Sequence, residues 1–285
     1  MRSLPLPSGA TMPVLGQGTW GMGTHTKQRS QEIDALKFGI DLGMTLIDTA
    51  EMYGEGGAEE VVAEAIKGQR SRLFLVSKVY PHNATRRGTI QACDRSLKRL
   101  KTDYLDLYLL HWRGSVPLSE TFEALLELRQ SGKIRDFGVS NFDQDDLVEA
   151  RQFDHNLTAT DQVLYNLSRR GIEWDVLPWC RQQGFPVMAY SPIEQGRLLQ
   201  NKALGAISAK HNSEGTASRL HLTPAQVAIA WLLHQENVVV IPKSSRRDRI
   251  QENYAALDIT LSQADLAALD EAFPPPARSQ PLEML

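Results

Sequence analysis

The chain has 285 residues, 42% of them hydrophobic and 23% charged, with a formal net charge of −3 at pH 7. Such a composition belongs to a globular protein whose core needs no disulfide or metal staple, and the mild negative charge argues against nucleic acid or an anionic membrane as partner. Two cysteines, Cys93 and Cys180, are too few for a disulfide framework and read as reduced thiols.

The opening stretch Met1-Arg-Ser-Leu-Pro-Leu-Pro-Ser-Gly is broken by prolines and lacks the apolar core of a signal peptide. No run approaches the roughly 20 apolar residues of a membrane span. A cytoplasmic protein is expected. Residues 4–6 and 11–13 flank Ser8-Gly9 and read as a small hairpin ahead of the main body of the fold.

From there strand and helix patterns alternate. Residues 14–20 read as a strand running into glycines, and 31–42 as a helix with Ile33, Leu36 and Ile40 at helical spacing. Strand 45–49 precedes helix 59–66. Strand 73–79 precedes helix 89–100, whose outer face carries Arg95, Lys98 and Arg99. Strand 104–111 leads to helix 119–129, for which Ser119 is the expected cap. After the Ser131-Gly132 break come strand 134–140 and helix 144–152. Strand 158–165 and helix 175–183 come next, the latter stopped by Gly184. Strand 186–190 is followed by 201–222, a polar and mixed stretch expected to be a mobile loop. Helix 224–234 is opened by Thr223 as cap with Pro224 in its first turn. Strand 238–241, helix 246–256 and a helix over 263–272 capped by Ser262 complete the series. The proline-rich 274–285 reads as an extended tail.

The strands are continuously apolar rather than alternating, as in a parallel sheet covered by helices on its outer side. Eight β/α units in one chain favour a closed (β/α)8 TIM barrel, a single domain over 1–285, with the N-terminal hairpin capping the barrel bottom. An open doubly wound sheet would want a glycine-rich phosphate loop entering its first helix. Gly16-Gln-Gly18-Thr-Trp-Gly21-Met-Gly23 has the wrong spacing for one and reads as a flexible loop after the first strand.

Three strands end on polar residues that an apolar strand would not otherwise choose: Asp48, Lys78 and His111, with Tyr53 five residues beyond the first. Active sites of such barrels form at the C-terminal strand ends, so all four face one pocket. Each alone has an ordinary reading as a turn cap, a solvated strand end, a core histidine or a loop anchor. Three adjacent strand ends carrying ionisable groups together make those readings weak. A phenol, with a reference pKa of about 10, is a poor acid at neutral pH, and a nearby ammonium is expected to lower it. Lys78 supplies the ammonium, Asp48 keeps it charged, and His111 orients a substrate oxygen. Such a site gives a carbonyl its proton. No side chain donates hydride, so a nicotinamide cofactor is implied.

These residues sit in motifs that resemble the aldo-keto reductases: Asp48-Thr-Ala-Glu-Met-Tyr53-Gly54, Val76-Ser-Lys78, Leu110-His111-Trp112, Gly138-Val-Ser140-Asn141, Asp161-Gln162, Ala189-Tyr190-Ser191-Pro192 and Ile241-Pro-Lys243-Ser244. The resemblance runs from about residue 14 to 261 in the family's order and looks closest to compact bacterial reductases of small aldehydes such as methylglyoxal. It implies a catalytic tetrad of Asp48, Tyr53, Lys78 and His111 with Tyr53 as general acid. It further implies that Ser140, Asn141 and Gln162 bind the nicotinamide carboxamide, that Tyr190 stacks on the ring, and that Ser191 and Ile193 contact the pyrophosphate. Lys243, Ser244, Arg249, Glu252 and Asn253 match the adenosine end. The cluster Lys243, Arg246, Arg247 and Arg249 at a helix start suits a phosphate and favours NADP(H) over NAD(H).

The chain departs from the family pattern at Arg113, where many members carry proline, and at Glu194-Gln195-Gly196, which lacks a pyrophosphate-binding serine. Its short tail argues against a deep pocket for steroids. Trp20 and Trp112 flank the expected site and are candidate substrate contacts. The remaining histidines, His25, His82, His155, His211, His221 and His234, show no ligand spacing, so no metal is expected. The sequence thus reads as a monomeric NADPH-dependent reductase of small carbonyl compounds. The alternative is a nucleotide-binding sensor or regulatory subunit with little turnover, which would have no need of the tyrosine acid.

Overall fold

A computed structural model of the chain describes residues 1–213 and 221–285. An antiparallel hairpin opens it, β1 (Ser3–Pro5) and β2 (Thr11–Pro13), with Leu4 opposite Met12. Eight parallel strands run in chain order around one sheet: β3 (Gly16–Gly18), β4 (Leu46–Asp48), β5 (Phe74–Val79), β6 (Leu105–Leu110), β7 (Ile134–Ser140), β8 (Thr158–Leu164), β9 (Val187–Tyr190) and β10 (Val238–Val240). The outer layer holds α1 (Arg29–Leu42), α2 (Gly57–Ala65), α3 (Arg86–Leu100), α4 (Leu118–Gln130), α5 (Gln144–Ala150), α6 (Val176–Gln183), α7 (Lys202–Ser213), α8 (Pro224–His234), α9 (Arg247–Ala255) and α10 (Gln263–Ala272).

The sheet closes on itself. Leu15 pairs with Val240 and Gly18 with Lys243, Val240 N donates to Val14 O at 2.8 Å, and Gly18 N donates to Pro242 O at 3.0 Å. With helices outside and side chains inside, every residue of β6 and of β8 is buried, the largely apolar run of β6 and the polar Thr158, Thr160, Asp161 and Gln162 of β8 alike. The barrel interior is filled by Leu46, Val76, Leu107, Leu109, Ala159, Met188 and Val239, and the hairpin adds Leu6 and Met12 to that cluster. Alternation along each strand then sets the site. Asp48 lies two residues beyond Leu46, Lys78 beyond Val76, His111 beyond Leu109 and Tyr190 beyond Met188, so each continues the inward-facing row at the C-terminal rim.

Capping signals hold at several helices. Thr223 and Gln226 form a capping box ahead of α8, Ser262 and Asp265 form another ahead of α10, and Gly184 ends α6 at φ 78°. Elsewhere the structure corrects the sequence reading. α3 begins at Arg86 behind Thr85, whose hydroxyl accepts from Gly88 N at 3.1 Å, three residues earlier than apolar spacing suggested. α4 begins at Leu118 after Pro117, so Ser119 lies inside the helix and is no cap.

Gly16 and Gly18 belong to a wholly buried strand and not to a flexible loop. A Cβ on Gly18 would lie 3.0 Å from Ile241 O, at the seam where the barrel closes. The stretch expected to be a mobile loop contains α7, with Leu204 and Ile207 in the core; the rest of that expectation, over 214–220, lies outside the described residues. The tail beyond α10 has neither helix nor strand, as expected. It is nevertheless tied down, since Leu282 packs on the core, Arg169 pairs with Glu283 and Ser279 Oγ donates to Asp175 Oδ2 at 3.1 Å. Among the described residues no helix is long and apolar enough to cross a membrane.

Candidate active site

At the C-terminal rim, Lys78 Nζ donates to both carboxylate oxygens of Asp48 at 2.8 Å, to Thr49 O at 2.9 Å and to Tyr53 Oη at 3.3 Å. Lys78 is fully buried and Asp48, Tyr53 and His111 are buried around it. The chain delivers Tyr53 by turning sharply after β4. Gly54, Glu55 and Gly56 all have positive φ, and α2 starts immediately afterwards. The Tyr53 and His111 rings meet edge to face with centroids 5.6 Å apart. Trp20 lies edge-on to Tyr53 at 5.2 Å and is itself 54% exposed, while Trp112 stands against His111 at 4.9 Å and against Tyr80 at 4.9 Å. Both tryptophans therefore flank the rim beside Tyr53 and His111.

The electrostatics differ from the sequence expectation at one point. The Tyr53 phenol is pushed well above its ordinary range, first by burial and then by the Asp48 carboxylate. Lys78 does not act as an isolated cation, because Asp48 holds it bidentate and the pair carries no net charge. Burial pulls Lys78 down, and the charge and hydrogen bonds of Asp48 oppose that pull. The phenol consequently stays protonated at neutral pH, the state an acid needs. His111 is pushed down to about 2 by burial and by Lys78, so its ring is neutral. Its Nδ1 is buried with no hydrogen-bond partner among the described residues. A neutral imidazole beside a loaded phenol can donate to or accept from a bound oxygen without competing for the proton.

Beside this centre lies a polar ledge at the ends of β7, β8 and β9. Asn141 Nδ2 donates to His111 O at 3.1 Å and to Ser140 Oγ at 3.1 Å, Ser140 Oγ donates to Gln162 O at 2.7 Å, and Tyr190 Oη donates to Asn141 Oδ1 at 2.9 Å. Asn141 and Ser191 both take positive φ, at 57° and 52°, which turns the chain sharply at the rim. Farther round, Lys243 pairs with Gly18 through the backbone, Ser244 Oγ accepts from Arg246 N at 3.1 Å, and α9 begins at Arg247. Its first turns carry Arg249, which donates to Glu252 at 2.7 Å, and Asn253 is buried behind them.

The family model for the aldo/keto reductases matches residues 14–273. The chain belongs to the aldo/keto reductase family. It is 50% identical over 281 residues to methylglyoxal reductase YeaE of Escherichia coli, covering 96% of each chain, and 36% identical over 271 residues to glyoxal reductase of Bacillus subtilis, covering 94% of this chain and 91% of that one. An aldo-keto reductase from Klebsiella pneumoniae, crystallised with NADPH, superimposes with a TM-score of 0.93 at 48% identity over 100% of this chain and 99% of that one.

Within this aldo-keto reductase the residues singled out from sequence gather at one rim, from Asp48 to Tyr190, with the basic cluster at the start of α9 on the same strand ends. Some partners were not legible beforehand. Gln162 Nε2 donates to Asp48 Oδ1 at 2.8 Å, so the residue matched to the carboxamide also holds the tetrad carboxylate. Its neighbour Asp161 points to the outer side of β8, where its fully buried carboxyl accepts from Phe142 N at 3.5 Å and is driven up by burial. Asn166 Nδ2 donates to Ser191 O at 2.9 Å and to Glu194 Oε2 at 2.8 Å, and Arg169 binds Glu194 Oε1. The loop after β9 is thus braced where the family's serine is lacking. The sequence showed for this only an asparagine just past the strand that ends in Val163-Leu164. Arg113 is held by Asp146 and Glu149 on α5, so the residue standing in proline's place leans outward to a helix.

Proposed function

We propose that the protein reduces small reactive aldehydes and ketones to alcohols with NADPH, Tyr53 serving as general acid. The observation that carries this reading is the buried contact Lys78 Nζ to Tyr53 Oη at 3.3 Å, with the lysine held by Asp48. The residues fit the cofactor at both ends. The ledge of Ser140, Asn141, Gln162 and Tyr190 offers amide and phenol groups beside the tetrad, and Lys243 and Arg249 offer cations near a helix start for a ribose phosphate. When bound, the reduced nicotinamide supplies the hydride.

Everything else falls to the chain. His111 orients the carbonyl oxygen toward Tyr53 Oη, and the aromatic faces of Trp20 and Trp112 hold the small organic part and exclude water. Tyr53 gives its proton to the oxygen as negative charge develops there, and the resulting phenolate is stabilised by the Lys78 ammonium that already donates to that oxygen. The two bacterial relatives are named for methylglyoxal and glyoxal, both small dicarbonyls, and the open, tryptophan-edged rim suits molecules of that size. A cytoplasmic monomer is part of the same reading.

The test is loss of reduced cofactor on mixing the protein, NADPH and a panel of carbonyls led by methylglyoxal. Tyr53→Phe should lower kcat by about 10²- to 10⁴-fold while NADPH affinity stays within about twofold. Full activity in that variant would remove the phenol from the mechanism. Tight NADPH binding with negligible turnover across the panel would point to a sensor.

A further inference from the structure

Two carboxylates with no place in the tetrad lie on either side of Tyr53 in sequence, and both reach across to the strand and loop that carry Lys78. Glu51 is two residues before the tyrosine. Its Oε1 accepts from Tyr80 N at 2.9 Å and from Asn83 Nδ2 at 2.9 Å, and its Oε2 lies 3.5 Å from Arg95 Nη2. Glu59 is six residues after it, in the first turn of α2, and is fully buried. Ser77 Oγ donates to Glu59 Oε1 at 2.6 Å, and Arg99 Nε donates to Oε2. Ser77 directly precedes Lys78 on β5 and faces outward where Lys78 faces inward, so a pull on one side chain is felt by the other through a single peptide. Gly56 makes room for this arrangement, since a Cβ there would lie 2.6 Å from Arg99 Cδ.

We propose that Glu51 and Glu59 are positioning residues that clamp the Tyr53 segment onto the Lys78 strand from both sides and so set the phenol-to-ammonium separation. The segment between them needs such a clamp. Residues 54–56 run through consecutive left-handed conformations inside a single kinked 3-10 turn, held only by short-range bonds such as Glu55 N to Met52 O at 3.2 Å. The contact to be defended, at 3.3 Å, stands at the long end of a useful hydrogen bond, so a small outward slip would abolish it. The Glu59 charge also favours the ammonium form of Lys78. A buried carboxylate held by a hydroxyl and a guanidinium is stiff, whereas a surface pair would not be.

The clamp rests on the reading of Tyr53 as acid, and its test includes a readout that survives failure of that reading. Ser77→Ala and Glu51→Gln, one on each side, should each lower kcat for methylglyoxal about tenfold, with carbonyl KM and NADPH affinity within about twofold. Ser77→Thr, which keeps the hydroxyl, should recover most of the rate. In a Tyr53→Phe background the same substitutions should cost nothing further, because the distance they guard no longer matters. Independently of turnover, protein labelled with 3-fluorotyrosine should show the Tyr53 resonance, assigned by its loss in Tyr53→Phe, shifted and broadened in Ser77→Ala and Glu51→Gln. Unchanged kcat and an unchanged Tyr53 resonance in folded variants would overturn the clamp, as would equal losses with and without the tyrosine hydroxyl. A wild-type protein inactive on every carbonyl would sink the enzymatic reading, and the resonance would still decide the clamp.

Discussion

His111 shows how burial decides a residue's charge state before chemistry begins. The ring sits at 8% exposure next to Lys78, and the two effects push it down to about 2, against about 6.5 in an unfolded chain. Between those values the unfolded chain binds a proton that the folded protein refuses. Stability is therefore fully present above about pH 6.5 and falls as pH drops toward 2. At pH 5 the loss from this one group is about 2 kcal/mol. Urea unfolding at pH 7.5 and pH 5.0 should show His111→Gln losing less stability than wild type by about that amount. An identical drop in both would mean that the imidazole is not held neutral. The identity of His111 as a site residue was legible because it ended an apolar strand. Its protonation was not, because desolvation comes from Tyr53, Trp112 and the strands around it. The same holds for Tyr53. The sequence reading paired Lys78 with Asp48 beside the phenol and expected the ammonium to lower it; the fold makes that pair, yet burial leaves the phenol under a net rise.

Elements meet the site through close backbone approach as well as through side chains. The loop after β3 carries Trp20 and comes back onto the first turn of α2 at Gly23, which has φ 72°; a Cβ there would lie 2.2 Å from the carbonyl carbon of Gly57. Backbone stands on both sides of that contact, so nothing can rotate away. Gly23→Ala should destabilise by about 1–3 kcal/mol and lower kcat/KM, as Trp20 is pushed off Tyr53. Gly9→Ala is the control. It has φ 88° in the hairpin turn but open space around its Cβ, so only the left-handed penalty of about 1 kcal/mol applies and activity should be retained. Midpoints of urea unfolding and kcat/KM for both variants check this. Helix ends were readable where a capping residue adjoined the apolar pattern, as at Thr223 and Ser262. They were misread at Ser119, where Leu118 enters the core directly after Pro117, and at Thr85, which caps a polar first turn that periodicity does not register. The helix Lys202–Ser213 escaped because only Leu204, Ile207 and Ser208 are buried in it, too sparse a stripe to stand out.

At the scale of the whole molecule, closure of the sheet brings the last strand back to the first. That step places Lys243 opposite Gly18 and puts the cations of α9 on the same rim as a tetrad built from residues 48–111. Lys243→Ala and Arg249→Ala should each weaken NADPH by about tenfold or more and NADH by less than about twofold, with the NADPH affinity of wild type falling as salt rises. Fluorescence titration of both nucleotides at two ionic strengths measures it, and equal losses for the two would remove the 2′-phosphate from that rim. The sequence by itself determined the alternation of strands and helices, the parallel barrel and the polar strand ends. Those depend on local periodicity and on burial on both faces, which any window of the chain displays. Only the tertiary structure decided which polar groups pair, as when Gln162 crosses the barrel mouth to Asp48 and Glu59 reaches Ser77. It also decided which sites titrate where. Those outcomes depend on distances between strands far apart in the chain and on the water excluded between them, and no periodicity encodes either.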